Sequence, residues 1–539
     1  MQKLYYGGDI LTMTGEDDYA EAVLTEDGLI KKQGSLEEVK QAADHHAEKI
    51  DLQGKTLVPA FIDPHGHISM VGQFSLMADL SECSNFSDII QTLKDYIQEK
   101  RLNKGDIVVG FGYDNNFLEE NSHPAKDILN QVSTEHPIFI LHASGHLGCT
   151  NDLGLQAAGI DKHTPDPEGG TIGRMEGSRE PNGYLEENAM MGLQKTLFKG
   201  VKRDDVKLAE FAQDIYIKNG ITTVQDGASS KEIIDLFKAL AQQQKLKIDV
   251  VAYPVFDAEP KKLMEENQSY AKKYADHFKI GGYKMFLDGS PQGKTAWLTE
   301  PYEGEESYRG YPWYQDEQVK QFTDAAINDN VQLLTHCNGD AASDQLLRNY
   351  QASLEESKNP NKHHLRPVMI HCQTVRNDQL DKMAELSMIP SIFIAHTYYW
   401  GDVHLKNLGE ERGRRISPAR SAYDRGLCVN FHQDPPIVKP DMLHTIWCAA
   451  NRQTRNGIRI GPEECVSVYE ALKAVTINAA YQYFEEDHKG SLEEGKAADL
   501  VILDRNPLKV DKMDIRDIQV LETIKDGETI YHVEPSAIQ

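Results

Sequence analysis

From about residue 205 to 484 the chain alternates short apolar runs with amphipathic stretches. The apolar runs are ITTVQDG (221–227), IDVVAYPVF (248–256), GGYKMFL (281–287), VQLLTHC (331–337), PVMIHC (367–372), PSIFIAH (390–396) and CVNFHQD (428–434). Each has the length and the β-branched or aromatic content of a strand. Helical patterns lie between most of them. SKEIIDLFKALAQQQ places Ile233, Ile234, Phe237 and Leu240 on one face at three- and four-residue steps. DAASDQLLRNYQASLEES does the same with Leu346, Leu347 and Tyr350. An earlier run, Leu57-Val58-Pro59-Ala60-Phe61-Ile62, brings the strands to eight. Strands alternating with helices predict an α/β fold with a parallel sheet. Eight such units predict closure into a (β/α)8 TIM-like barrel, with its chemistry at the C-terminal strand ends.

The two ends of the chain differ from this pattern. Residues 1–56 read as short strands and turns, with turn signals at Asp27-Gly28 and Gly54. GSLEEGKAADLVILDRNP near the other end has the same character, with a turn at Glu494-Gly495 and a strand at Leu500–Leu503. The expectation is one small β-sandwich domain built from both ends, residues 1–60 with 485–539. The barrel then takes 61–76 and 205–484. Residues 77–204 are too long for a connection between a strand and a helix. They predict an inserted subdomain lying over the barrel mouth.

Composition narrows the function classes. A chain of 539 residues suits a large barrel with additions. Hydrophobic content of 40% and charged content of 26% are those of a soluble globular protein. No apolar run approaches the ~20 residues of a membrane helix. MQKLYYGGDILTM lacks the charged-then-apolar layout of a secretory signal. A net charge of −27 has the wrong sign for nucleic acid. The seven scattered cysteines contain no CxxC and suit reduced thiols in the cytoplasm.

Candidate chemistry gathers at strand ends. His65-Gly66-His67 follows the first strand, and side chains two apart point the same way along extended backbone. Neutral imidazole is a good ligand for zinc and similar divalent metals. The fourth strand carries Lys284, the fifth ends in His336, the sixth in His371 and the eighth in Asp434. Singly, such a histidine is ordinarily a hydrogen-bonded core residue, and Asp434 a turn residue before Pro435-Pro436. On a barrel, all of them would face one cavity.

This ordered set resembles the amidohydrolase superfamily, and more closely its YtcJ-like branch, amidohydrolase family 3, which includes N-substituted formamide deformylases. VPAFIDPHGH, YKMFLDGSPQGKTAWLTEPY, THCNGD, RRISPARSAYDRGLCVNFHQDPP and GSLEEGKAADLVILD are similar to that branch's blocks across nearly the whole chain. One departure stands out. The family usually has Gly-Ser-Asp at the eighth strand, and this chain has His432-Gln433-Asp434.

The resemblance implies that His65, His67 and Asp434 bind one divalent metal, and His336 and His371 a second. Lys284 would bridge them only as an N6-carboxylated lysine, because an ammonium repels cations and a carbamate is an anion. Unmodified, Lys284 leaves a site for one ion. Asp434 would take the proton of a metal-activated water and pass it to the leaving nitrogen. His396, at the seventh strand, is a candidate for polarising the substrate carbonyl or touching substrate, or is a packing histidine. In the insertion, FGYDNN, LHASGHLGCTND and GGTIGR resemble segments that approach the site, making Asp114, His146 and Arg174 candidate substrate contacts. Arg174 reads somewhat better as a solvated loop residue. Asp288 is a candidate for substrate binding or, with Asp340, for orienting ligands.

The function expected is hydrolysis of a non-peptide C–N bond of a small molecule, an amide, formamide or relative. An ester hydrolase or a deaminase would use the same activated water, and a catalytically silent small-molecule binder would keep only the fold. A homodimer is expected solely because dimers are common in the superfamily resembled.

Overall fold

A computed structural model of the protein describes residues 1–74, 76–143, 145, 147–167, 170–199 and 204–533. The chain divides into two compact units, Met1–Ser69 with Ala209–Gln539, and Met70–Leu208.

The larger unit holds eight parallel strands in chain order: β1 (Phe61–Ile62), β2 (Ile221–Ser229), β3 (Asp249–Pro254), β4 (Gly282–Phe286), β5 (Gln332–Cys337), β6 (Val368–His371), β7 (Ile389–Ile392) and β8 (Asn430–Phe431). β1, β2 and β3 pair parallel, and so do β4 through β8. A bridge from Val255 to Lys284 and the Gly281 N–H donated to Ala252 O (2.9 Å) join the two sets. The helices between strands follow the apolar spacing. Lys231–Gln242 buries Ile234, Phe237, Leu240 and Ala241, and the Ser230 hydroxyl caps it by accepting from Ile233 N–H. Among the described residues no helix is long and apolar enough to cross a membrane.

The period of two along β4 matters most for the site. Tyr283 and Met285 take one face, and Gly282, Lys284 and Phe286 the other. Lys284 is thereby aimed inward and is completely buried.

Both chain ends share one eight-stranded sheet in the same unit. Leu500–Leu503 pairs antiparallel with Thr56–Pro59, which pairs parallel with Gln2–Leu11. The strand entering the barrel is therefore anchored on one side by each chain terminus. A buried ionic cluster ties this sheet to the start of β3. Asp249 accepts from Lys489, lies 3.0 Å from Lys525 Nζ, and lies 2.8 Å from His277 Nδ1. Burial pushes the Asp249 carboxyl up, and the Lys489 and Lys525 ammoniums outweigh it, holding the group well below the carboxylate range.

The smaller unit is a six-stranded sheet with strands in the order Ala78–Asp79, Val108–Tyr113, Ile138–His142, Leu147–Thr150, Pro181–Glu186 and Gly170–Arg174. Helix Phe86–Lys100, capped by Asn85, buries Ile89 and Leu93 against it.

Candidate metal centre

The centre is assembled at the ends of β1, β2, β4, β5, β6 and β8. After β1 the chain turns through Asp63-Pro64-His65-Gly66-His67. Tyr483 O–H donates to Asp63 O (2.7 Å), and His65 N–H donates to the Asp63 carboxylate (3.3 Å). Glycine is required between the two histidines, because a Cβ on Gly66 would lie 2.8 Å from Asp63 Oδ2 and 2.9 Å from Pro435 Cδ. On β2, a Cβ at Gly227 would lie 2.6 Å from the His65 ring. His67 N–H donates to Pro435 O (2.8 Å), fastening the first strand's loop to the eighth's.

Hydrogen bonds decide which histidine nitrogens are free to bind. Gln225 Nε2 donates to Pro64 O (2.8 Å), so its Oε1 faces His65 Nδ1 at 2.6 Å and can only accept. His65 therefore carries its proton on Nδ1 and presents a bare Nε2. That lone pair lies 3.4 Å from Asp434 Oδ1, and His67 Nε2 lies 3.2 Å from the same oxygen. His336 Nε2 lies 3.2 Å from Gly289 O, which can only accept. Asn338 Nδ2, 3.0 Å from the same ring nitrogen, donates one of its two protons to that carbonyl (2.7 Å). With its own proton on Nε2, toward Gly289 O, His336 presents a bare Nδ1, and His371 Nε2 lies 3.0 Å from it. On its other side His371 Nδ1 lies 3.2 Å from His432 Nε2, and His432 Nδ1 lies 2.9 Å from Ser391 Oγ. With Ser391 accepting from His432 Nδ1–H and His432 Nε2 from His371 Nδ1–H, His371 Nε2 is bare as well; a proton donated by the Ser391 hydroxyl would reverse the chain.

Electrostatics keep these rings neutral, the form that binds metal. Burial pushes His65, His371 and His432 well below the usual histidine range, with neighbouring Lys284 and histidine charges adding to it. Burial, then Lys284, brings His336 down to about 3. Lys284 Nζ is buried without a hydrogen-bond partner. Burial drives its amine down to about 7, against the pull of Asp434. An amine in that range is about half uncharged at neutral pH, and the uncharged form is the nucleophile that adds carbon dioxide.

Bare imidazole nitrogens and a carboxylate oxygen facing one another in a largely buried pocket repel unless a cation lies among them. The nearest ligand atoms of His65, His371 and Asp434 all fall within 4.8 Å of one another. These residues fit a divalent metal. Two of the candidate ligands also sit at strained backbone: His371 has φ 77° and Asp434 φ 53°, in the left-handed region that non-glycine residues rarely occupy.

A family model, described as the amidohydrolase family, matches residues 48–531. The chain belongs to the amidohydrolase family. It is 28% identical to the protein YtcJ of Bacillus subtilis (strain 168), over 98% of this chain and 99% of that one. It is 27% identical to an N-substituted formamide deformylase of Arthrobacter pascens, over 97% of both chains. Among solved structures it is similar to an uncharacterized metal-dependent hydrolase from Pyrococcus horikoshii OT3. The TM-score there is 0.76 at 25% identity, covering 95% of this chain and 99% of that one.

In this amidohydrolase the six residues expected to bind metal are brought together, and two other expectations need correcting. Asp288 is fully buried and accepts three backbone N–H groups, from Trp297 (2.9 Å), Asn338 (3.0 Å) and Gly339 (2.7 Å). Burial lifts its carboxyl to about 7 against those donors. It shapes the loop after β5 and has no surface left for substrate. Arg174 spends its guanidinium on the carbonyls of Thr164 (2.6 Å) and Arg179 (2.7 Å), so it staples its own loop and does not offer itself to a substrate carboxylate. In the smaller unit, Asp114 is buried 3.4 Å from His142 Nε2 and accepts from Asn116 N–H (2.8 Å). Burial raises its carboxyl, and His142 with Asn116 more than offsets this. His146 lies outside the described residues. Asp340 binds Arg376 (3.0 Å) and Thr299 N–H (2.9 Å).

Sequence reasoning missed Gln225 and the part played by His432. Gln225 had a signal, being polar in the apolar strand ITTVQDG. His432 was visible only as a departure from the family's small residues, and the fold turns it into the hydrogen-bond partner of a ligand. Replacing it by leucine is expected to weaken metal binding about 10–100-fold, because His371 loses the group that fixes its proton and its ring. Competition with a coloured chelator reads this directly, and unchanged affinity would remove His432 from that role.

Proposed function

We propose that this protein is a metal-dependent hydrolase that cleaves the C–N bond of a small amide- or formamide-type molecule. The observation that carries the reading is the convergence of His65, His67 and His371 on Asp434, with His336 against His371 and the Lys284 amine, which has no hydrogen-bond partner among the described residues, in the same buried cluster. The metal-dependent hydrolase and the formamide deformylase among its relatives support the same chemistry.

His65, His67 and Asp434 would hold one ion and His336 with His371 a second, with Lys284 joining them as a carbamate. Imidazole and carboxylate ligands suit zinc. When bound, the metal lowers the pKa of a water and polarises the substrate carbonyl. Asp434 orients that water, holds its proton and delivers it to the leaving nitrogen. His396 Nε2 has no hydrogen-bond partner among the described residues and supplies a donor for the carbonyl oxygen.

The test is metal content per chain, on protein purified without chelator, followed by a panel of amides, N-substituted formamides, esters and amidines. About two equivalents of metal with turnover of amides or formamides is expected. Faster turnover of esters or amidines would move the assignment to an esterase or deaminase. No metal, and no activity after adding metal and bicarbonate, would overturn it.

A further inference from the structure

His396 opens the short helix His396–Tyr399, and its ring is packed between Phe393 and Trp400, each 4.6 Å away between centroids. Its Nδ1 lies 3.0 Å from Nε2 of His404, which sits in helix Gly401–Arg414. The two ring planes lie within 16° of each other. His404 is fully buried, and its remaining nitrogen, Nδ1, has no hydrogen-bond partner among the described residues.

We propose that His404 is a positioning residue that fixes the tautomer of His396, so that His396 presents Nε2–H to the substrate carbonyl. The inference rests on the hydrolase reading above and adds the residue that makes His396 a donor.

The two rings share one hydrogen bond, and burial keeps both neutral. That leaves two arrangements of two protons. In the first, His396 Nδ1–H donates to His404 Nε2. His404 then carries its proton on Nδ1, a buried N–H with nothing to accept it, and His396 presents only a lone pair. In the second, His404 Nε2–H donates to His396 Nδ1. His404 Nδ1 is then a bare lone pair, and His396 carries its proton on Nε2. An orphaned buried N–H is the rarer and costlier defect, so the second arrangement is preferred. The tautomer of His396 is set by a residue eight positions along the chain. A donor held at a set place is what an oxygen gaining negative charge requires, and no proton has to leave the pair during the reaction.

The experiment uses the full-length, metal-loaded protein, deuterated and labelled with 15N-histidine. Two-bond 1H–15N correlations read the tautomer, with His396→Gln assigning the signal. Wild type is expected to show His396 protonated on Nε2, and His404→Phe to show a mixture. His404→Phe is expected to lower kcat about tenfold with KM within about twofold. His404→Gln, whose amide can still donate, restores the Nε2–H signature and most of kcat. The Nδ1–H form in wild type overturns the proposal whatever the substrate proves to be. So does an unaltered tautomer in His404→Phe, or a fall in kcat that His404→Gln shares equally. A failure of the substrate panel leaves the spectroscopic result standing, so the two readings fail separately.

Discussion

Asp434→Asn is expected to lower kcat by about 10³–10⁴-fold while the protein stays folded, because a positioned acid–base group contributes on this scale. Asparagine keeps the size of the side chain and one oxygen ligand, yet cannot hold the proton that has to pass from water to the leaving nitrogen. The backbone makes it a clean substitution. Asp434 sits at φ 53°, and asparagine is among the residues that best tolerate the left-handed region. Thermal unfolding should therefore shift by only a few degrees. Metal analysis on the same sample separates loss of the base from loss of an ion. Turnover within tenfold of wild type would show that Asp434 is not the base.

Lys284→Met is expected to act in opposite directions on the loaded and the metal-free protein. Loaded, the variant should lose about one equivalent of metal and most activity, since methionine cannot form a carbamate. Metal-free, it should be more stable than wild type by on the order of 3 kcal/mol at pH 7, because a buried amine without a partner is replaced by an apolar chain of similar length.

The pH dependence has a definite sign. Burial takes the Lys284 amine from an ordinary 10.5 to about 7. Between those values the unfolded chain holds a proton that the folded chain has released, so wild-type stability rises with pH through the window. The penalty is full below pH 7 and gone above 10.5. The advantage of Lys284→Met over wild type should narrow from pH 7 to pH 9 in urea titrations of chelated protein. A gap independent of pH would show that the buried amine is not the cause, and unchanged metal content would remove Lys284 from the ligand set.

Much of the fold was legible because its signals are local. The apolar runs that became β2 to β8 are contiguous, and the helix of Ile234, Phe237 and Leu240 announces its buried face at three- and four-residue steps. His65 and His67 declare a shared direction by their spacing alone. The remaining candidate ligands became legible through their order along the chain, each on or at the end of a predicted strand. Asp288 and Arg174 were ambiguous in sequence for one common reason. A charged residue near a family motif looks the same in sequence whether it faces a substrate or closes its own loop, and only the carbonyls and N–H groups around it decide.

The sequence by itself determined the alternation of strands and helices, the strand ends where chemistry gathers, and the family to which the chain belongs. Periodicity and motif are properties of neighbouring residues. The tertiary structure alone decided the protonation of the centre. Gln225 sets the tautomer of His65 from 160 positions away, His432 braces His371 across 61, and burial inside the strands loosens the Lys284 ammonium's hold on its proton. A ring nitrogen binds metal or donates a proton according to what its other nitrogen touches, and that partner is chosen by folding.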